Sequence, residues 1–273
     1  MSASAPAVNL EFDLPAAPAS LMQLSALLRD PDADMFAIAA VIENDLSYAA
    51  AVMRAVNSPL YGLAGRVHSV QQAVTYLGVR ELSAIAYEAG LRASFPQVPE
   101  LAAVWDRARV RGLLMGRLAQ MLALEAWGAH SAGLFEEVGK AVLYRHAPGV
   151  YARLLRESDD DVELVESERR LFEAGHDEIG ARLCEAWGLS QAAVTSVRHH
   201  VNVNVQHHLP RVSHRYLCVL SALADTLVRQ PDQVEALAEH LAPQAMMDIT
   251  SLLRALGRVK DKLAEVVEID AGT

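Results

Sequence analysis

The chain has 273 residues, a formal charge of −10, and a composition that is 52% apolar but only 5% aromatic. That length suits one large domain or two modest ones with a substantial core, and the abundance of alanine and leucine suits tightly packed helices. The acidic balance, 34 Asp and Glu against 24 Lys and Arg, disfavours non-specific binding to nucleic acid or to an anionic membrane.

The two cysteines, Cys184 and Cys218, fit neither a metal spacing nor a disulfide framework, and a reducing cytoplasm is the simplest compartment for them. The first basic residue is Arg29, so the start lacks the charged opening of a secretory signal. The longest apolar-looking stretch, GLLMGRLAQMLALEAWGA from Gly112, carries Arg117 and Glu125. It reads as a core helix rather than a membrane span. The expectation is a soluble intracellular protein.

Residues 1–13, rich in Ala, Ser and Pro, predict a loose tail. From Leu14 onward the pattern is helical almost throughout. Leu21, Leu24, Leu27 and Leu28 make one apolar face at helical spacing. Asp34 is placed to cap a second helix, MFAIAAVIEN, and a third, LSYAAAVMRAV, runs into the NSPLYG turn at 57–62. Ser69 and Gln72 have capping-box spacing before VQQAVTYL, which Gly78 ends. Two long helices follow, over 79–95 and over 100–127, parted by the Pro96–Pro99 turn.

The second half predicts helices near 131–145, 148–157, 161–174, 177–187, 190–200, 211–229, 231–240 and 243–267. Only VNVNVQ at 201–206 alternates with period two, as a short extended segment or as the loop before Pro210. The fold class is all-α, with a subdivision into two packed subdomains expected near residue 100. Leu252, Leu253, Leu256, Val259 and Leu263 of the last helix are expected to pack on the domain, the default for an amphipathic stripe.

There is no phosphate-binding glycine loop, no nucleophile elbow, no H-E-x-x-H and no EF-hand loop. Any catalytic chemistry must come from histidines and carboxylates brought together by folding. Six of the ten histidines fall between residues 176 and 214. His176 shares a face with Gly180, Leu183, Cys184 and Trp187, so its ring is expected to point inward. His199 and His200 are read at a helix end, capping its carbonyls. His207, His208 and His214 are assigned to solvent, and Trp105, Trp127 and Trp187 to the core.

NSPLYG at 57–62, AVTYLGVREL at 73–82, the Trp105 helix, AGLFEEVGK at 132–140, FEAGHDEIGARLCEAWGLS at 172–190 and RHH at 198–200 occur in a fixed order. In that order they resemble the HDOD domains, the HD-related output domains of bacterial signalling proteins, over about residues 14–230. Residues 231–273 form a C-terminal helical extension outside the resemblance. One local departure is Asp45-Leu46-Ser47-Tyr48, where such chains commonly carry Asp-Pro and a leucine.

The resemblance implies descent from metal-dependent HD phosphohydrolases, whose ligands follow an H…HD…D pattern and whose metal activates water against a phosphoester. At the first ligand position this chain has Arg107, and at the His-Asp doublet it has Glu136 and Glu137. The distal aspartate corresponds to Asp225, and His176, His199 and His200 match recurring histidines. A guanidinium has only donors and cannot ligate a cation. The expectation is therefore no metal and no cofactor, with Arg107 bridging Glu136, Glu137 and Asp225 in place of the ion. The other reading keeps Glu136 and Glu137 on a solvated face, Glu136 pairing with Lys140 at i,i+4.

These residues imply a cytoplasmic, non-catalytic signalling module that binds a partner protein, with no nucleic acid and no membrane as partner. Two other functions follow from the same residues. One is a residual metal-dependent phosphohydrolase. The other is a pocket that binds a nucleotide or cyclic dinucleotide through Arg107, His176, His199 and His200 without cleaving it.

Overall fold

In the computed structural model, residues 12–30, 34–57, 63 and 65–271 are described, with side chains as far as Asp261. Thirteen α-helices and no strands occur among them. The N-terminal set comprises α1 (Ala19–Arg29), α2 (Met35–Glu43), α3 (Leu46–Val56) and α4 (Val70–Ala93). The central pair is α5 (Ala102–Met121) and α6 (Ala126–His146), followed by α7 (Pro148–Glu157), α8 (Asp161–Phe172), α9 (His176–Ala186) and α10 (Gln191–Gln206). The chain closes with α11 (Tyr216–Arg229), α12 (Val234–Leu241) and α13 (Ile249–Ala271). No single helix among the described residues is long and apolar enough to cross a membrane.

Local chemistry sets many of the boundaries. Asp34 starts α2 by accepting from the Phe36 N–H. Ser69 accepts from the Gln72 N–H at 3.1 Å, and Gln72 reaches back to the His68 N–H at 2.8 Å, so two orphan donors are satisfied. Gly78, at φ 78°, breaks α4 into the two segments expected from the sequence; a left-handed turn there costs glycine nothing. Asn57 ties the end of α3 to Val67 and Gly65 through its amide. The rest of NSPLYG, residues 58–62, and the tail as far as residue 11 lie outside the described residues.

Two expectations need correcting. The break expected between the helices at 100–127 and 131–145 comes earlier: α5 ends at Met121 and the chain reverses at Leu122–Glu125, with Ala123 at φ 55°. Glu125 then caps α6 by accepting from the Trp127 and Gly128 N–H groups at 2.9 and 2.5 Å. VNVNVQ is neither strand nor loop but the last turns of α10, which ends at His207 in the left-handed region. Its alternation arises because Val201 and Val203 face the core while Asn202 and Val205 do not. His199 and His200 therefore sit inside a helix and cap nothing.

α6 is the axis of the molecule. Every residue from Ala129 to Tyr144 is buried, charged ones included. Its neighbours come close because glycines face backbone: a Cβ on Gly133 would lie 2.7 Å from the Arg111 carbonyl carbon of α5, and one on Gly139 would land on the His176 carbonyl oxygen of α9. One apolar cluster joins α1–α5 to α6–α10; a second joins α5, α6 and α10 to α11–α13. Leu252, Leu256 and Val259 of α13 are fully buried in the second, so this helix packs on its own chain; Leu263 lies beyond the described side chains.

Candidate functional site

Four helices converge on a buried set of ions. α6 contributes Glu136, Glu137 and Lys140, all fully buried. α5 contributes Arg107 and, one turn later, Arg111; α8 opens with Asp161; α11 supplies Asp225 and Arg229. α9 and α10 place His176 and His200 beside them, both fully buried.

Arg111 is the centre. Its Nη1 lies 3.0 Å from Glu136 Oε2, its Nε 3.3 Å from Glu137 Oε1, and its Nη2 2.5 Å from Asp225 Oδ1 and 4.0 Å from Asp161 Oδ2. Lys140 Nζ bridges Glu137 at 2.8 Å and Asp161 at 2.7 Å. Among the described residues Arg107 pairs only with Glu137, at 3.2 Å, with its side chain 41% exposed. Arg229 closes the outer edge, 3.1 Å from Asp225 and 3.7 Å from Asp161. Ser196 Oγ donates to the remaining Glu136 oxygen at 3.0 Å. Four cations thus face four carboxylates, the arrangement needed to hold charge away from water.

The electrostatics follow. Burial opposes the Arg111 charge, but the surrounding carboxylates overcome it and hold its pKa above the ordinary value. Burial raises Glu136 to about 7, more than its share of Arg111 lowers it. Burial also acts on Glu137, but Lys140, Arg107 and Arg111 together outweigh it and bring its carboxyl to about 2. Asp161 is likewise held well below its usual range against burial, chiefly by Lys140.

The histidines form a second layer. His176 Nδ1 lies 2.9 Å from Glu168 Oε2, which also accepts the His176 backbone N–H at 2.7 Å; Tyr151 donates to the other oxygen at 2.5 Å. His200 Nδ1 donates to the Val197 carbonyl at 2.7 Å, and its ring lies 5.3 Å from that of His176. Burial, then His176 and Arg111, lower His200 to about 3, so it is neutral at ordinary pH. His199 is elsewhere, half-buried, with Arg198 and Asp177 as its electrostatic neighbours.

The structure brings Glu136, Glu137 and Asp225 together as a set and places His176 and His200 against it. It leaves His199 aside and moves Arg107 from the centre to the rim. The solvated-face alternative for Glu136 and Glu137 is wrong, and Lys140 pairs with Glu137 rather than Glu136. Arg111, Asp161, Ser196, Glu168 and Arg229 were not foreseen, and Lys140 was expected only as a surface partner of Glu136. Arg111 follows Arg107 by four residues on the same face of α5, so spacing alone admitted either.

The donor set does not fit a divalent cation. Arg111 and Lys140 occupy the space between the carboxylates and pair with them, and neither can ligate a metal while protonated. Among the described residues no group of three His, Cys, Asp or Glu side chains converges in a way that could hold a metal ion.

The model of the HDOD domain matches residues 14–203. An uncharacterized protein of Treponema pallidum is 26% identical over 216 residues; the match takes in 78% of this chain but 41% of that protein, which is therefore much the longer. Among solved structures, an HDOD domain protein of unknown function from Geobacter sulfurreducens superposes with a TM-score of 0.67 at 20% identity, covering 93% of this chain and 91% of that one. A candidate signal transduction protein from Marinobacter aquaeolei VT8 gives 0.68 at 24% identity, covering 93% of this chain and 59% of the other. A candidate phosphohydrolase from Shewanella amazonensis SB2B gives 0.63 at 20%, covering 90% of each. At these identities the structural likenesses establish a shared fold, and with the domain model spanning most of the helical body the chain belongs to the HDOD domain family.

Proposed function

We propose that the chain is a non-catalytic regulatory module of bacterial signal transduction, which acts in the cytoplasm by binding a partner protein. The observation that carries this reading is Arg111: a fully buried guanidinium between the carboxylates at the place where an HD enzyme would hold its metal. A hydrolytic water needs a Lewis acid or a free general base. Here Glu137, Asp161 and Asp225 are committed to ion pairs, and His176 Nδ1 is committed to Glu168. The engagement of Arg111 and Lys140 with these carboxylates disfavours a nucleotide in the buried centre of the site.

The test is elemental analysis of untagged, chelator-free protein, together with turnover of bis(p-nitrophenyl) phosphate with and without added Mn²⁺. The expected result is metal far below one equivalent and no turnover. Stoichiometric Mn, Fe, Zn, Co or Ni, lost on Asp225→Ala and accompanied by phosphodiester cleavage, would overturn the proposal.

A further inference from the structure

Where α10, α11 and α12 meet, a cleft of about 570 Å³ opens at the outer edge of the ion network. All of its lining lies beyond residue 203, where the match to the HDOD domain ends. The α12 wall is fastened in place: His240 Nε2 donates to the His207 carbonyl at 2.9 Å, and Gln244 Oε1 accepts from the Leu209 N–H at 3.2 Å. Val205, Ala236 and Leu237 give the cleft an apolar side. Its size is that of a small-molecule site.

Two opposite charges line this cleft without pairing with each other. Arg229 donates one hydrogen bond, from Nε to Asp225 Oδ1 at 3.1 Å, and its two terminal nitrogens donate none among the described residues. Nη2 stands 3.7 Å from Asp161. That unbonded edge of the guanidinium is the fork that takes a carboxylate through two parallel hydrogen bonds. Asp225 does not fully neutralise it, because the same oxygen lies 2.5 Å from Arg111 Nη2. Asp232 follows three residues later, in the turn Pro231–Gln233 between α11 and α12. It is exposed and has no ion pair or hydrogen bond among the described residues.

A simple anion in the cleft would face Asp232, and a simple cation would face Arg229. A molecule that carries both charges on neighbouring atoms satisfies each, and such complementarity is what sets specificity. We infer that the cleft binds a zwitterionic α-amino acid. Its carboxylate lies on the free edge of Arg229, its ammonium is held by Asp232, and an apolar side chain rests against Val205, Ala236 and Leu237. The cleft has room for such a ligand together with bridging water. Binding here requires neither catalysis nor its absence, so the inference stands apart from the non-catalytic reading.

The test is calorimetric titration of the full chain with each of the common L-amino acids. For any that binds, two matched probes follow: the carboxylic acid lacking the amine, and the amine lacking the carboxylate. At least one apolar amino acid is expected to bind with a Kd below about 1 mM, and each matched probe at least about tenfold more weakly. Asp232→Asn and Arg229→Gln are each expected to weaken the amino acid about tenfold, and in different ways. Asp232→Asn should abolish the preference over the acid lacking the amine and keep the preference over the amine. Arg229→Gln should do the reverse, a crossing that general loss of structure would not produce, and thermal melts of both variants check the fold. The inference is overturned if no amino acid binds, if either matched probe binds as tightly as its parent, or if both preferences survive in both variants.

Discussion

At the scale of single residues, Arg107 and Arg111 make opposite predictions although they share a helix face. Arg111 is buried against four carboxylates, so Arg111→Ala leaves them without their common countercharge. Removing one member of a buried ionic set costs about 3–5 kcal/mol. Arg107 reaches Glu137 from an exposed position, and Glu137 keeps Lys140 and Arg111 without it; Arg107→Ala is expected to cost less than about 1 kcal/mol. Urea unfolding of the two variants distinguishes them, and equal losses would refute the central role of Arg111. The carboxylates were legible because their motif positions are distinctive. The arginine was not, because the register of α5 against α6 is set by the close approach of Gly133 to the Arg111–Gly112 backbone, a contact that no periodicity reveals. Asp161 was hidden too: at the start of the helix expected over 161–174 it reads as one more acid of the run Asp159-Asp160-Asp161, whose Asp160 is the cap.

At the scale of helices, what the sequence disclosed was periodicity and caps, and what it concealed was reversal without a breaker. Gly78 announced its own break. The α5–α6 reversal carries neither glycine nor proline between Leu122 and Glu125; it exists because the two helices gain more by packing antiparallel than by continuing, and α5 and α6 share the most extensive helix contact in the molecule. That contact, and the one between α6 and α9, depends on the absence of side chains. Gly139→Ala would place a Cβ on the His176 carbonyl, a backbone atom that cannot rotate away. The helices must separate, at a cost of about 1–3 kcal/mol or more, and the His176–Glu168 pair moves with α9. Gly257 is the counter-case: nothing lies within 4 Å of a Cβ there and the residue is within α13. Gly257→Ala is expected to stabilise by about 0.5–1 kcal/mol through helix propensity alone. Thermal melts should move in opposite directions for the two alanines; a parallel shift would show that close backbone approach is not what fixes α9 against α6.

At the scale of the whole molecule, the buried ionisable groups predict an uneven response to acid. Burial raises Glu136 and Glu88 from 4.5 to about 7. Between pH 7 and 4.5 the folded chain holds these two protons and the unfolded chain does not, so acidification stabilises through them. Burial lowers His130 and His200 from 6.5 to about 4 and about 3. Below pH 6.5 the unfolded chain takes two protons that the folded chain refuses, so acidification destabilises through these. Over the shared window the two pairs oppose each other and stability stays nearly level. Below pH 4.5 the unfolded glutamates are protonated as well, and the stabilising contribution stops growing. Glu137, lowered to about 2, then joins the histidines, and Asp161, held well below 3.8, adds to them. Near pH 4 unfolding takes up roughly two to three protons, a loss on the order of 3 kcal/mol per pH unit. Urea unfolding from pH 8 to 3.5 should give a plateau and then a sharp fall beginning near pH 4.5. A steady decline from pH 7 would mean that Glu136 is ionised in the fold, which would require Arg111 to neutralise it more completely than a guanidinium divided among four carboxylates can.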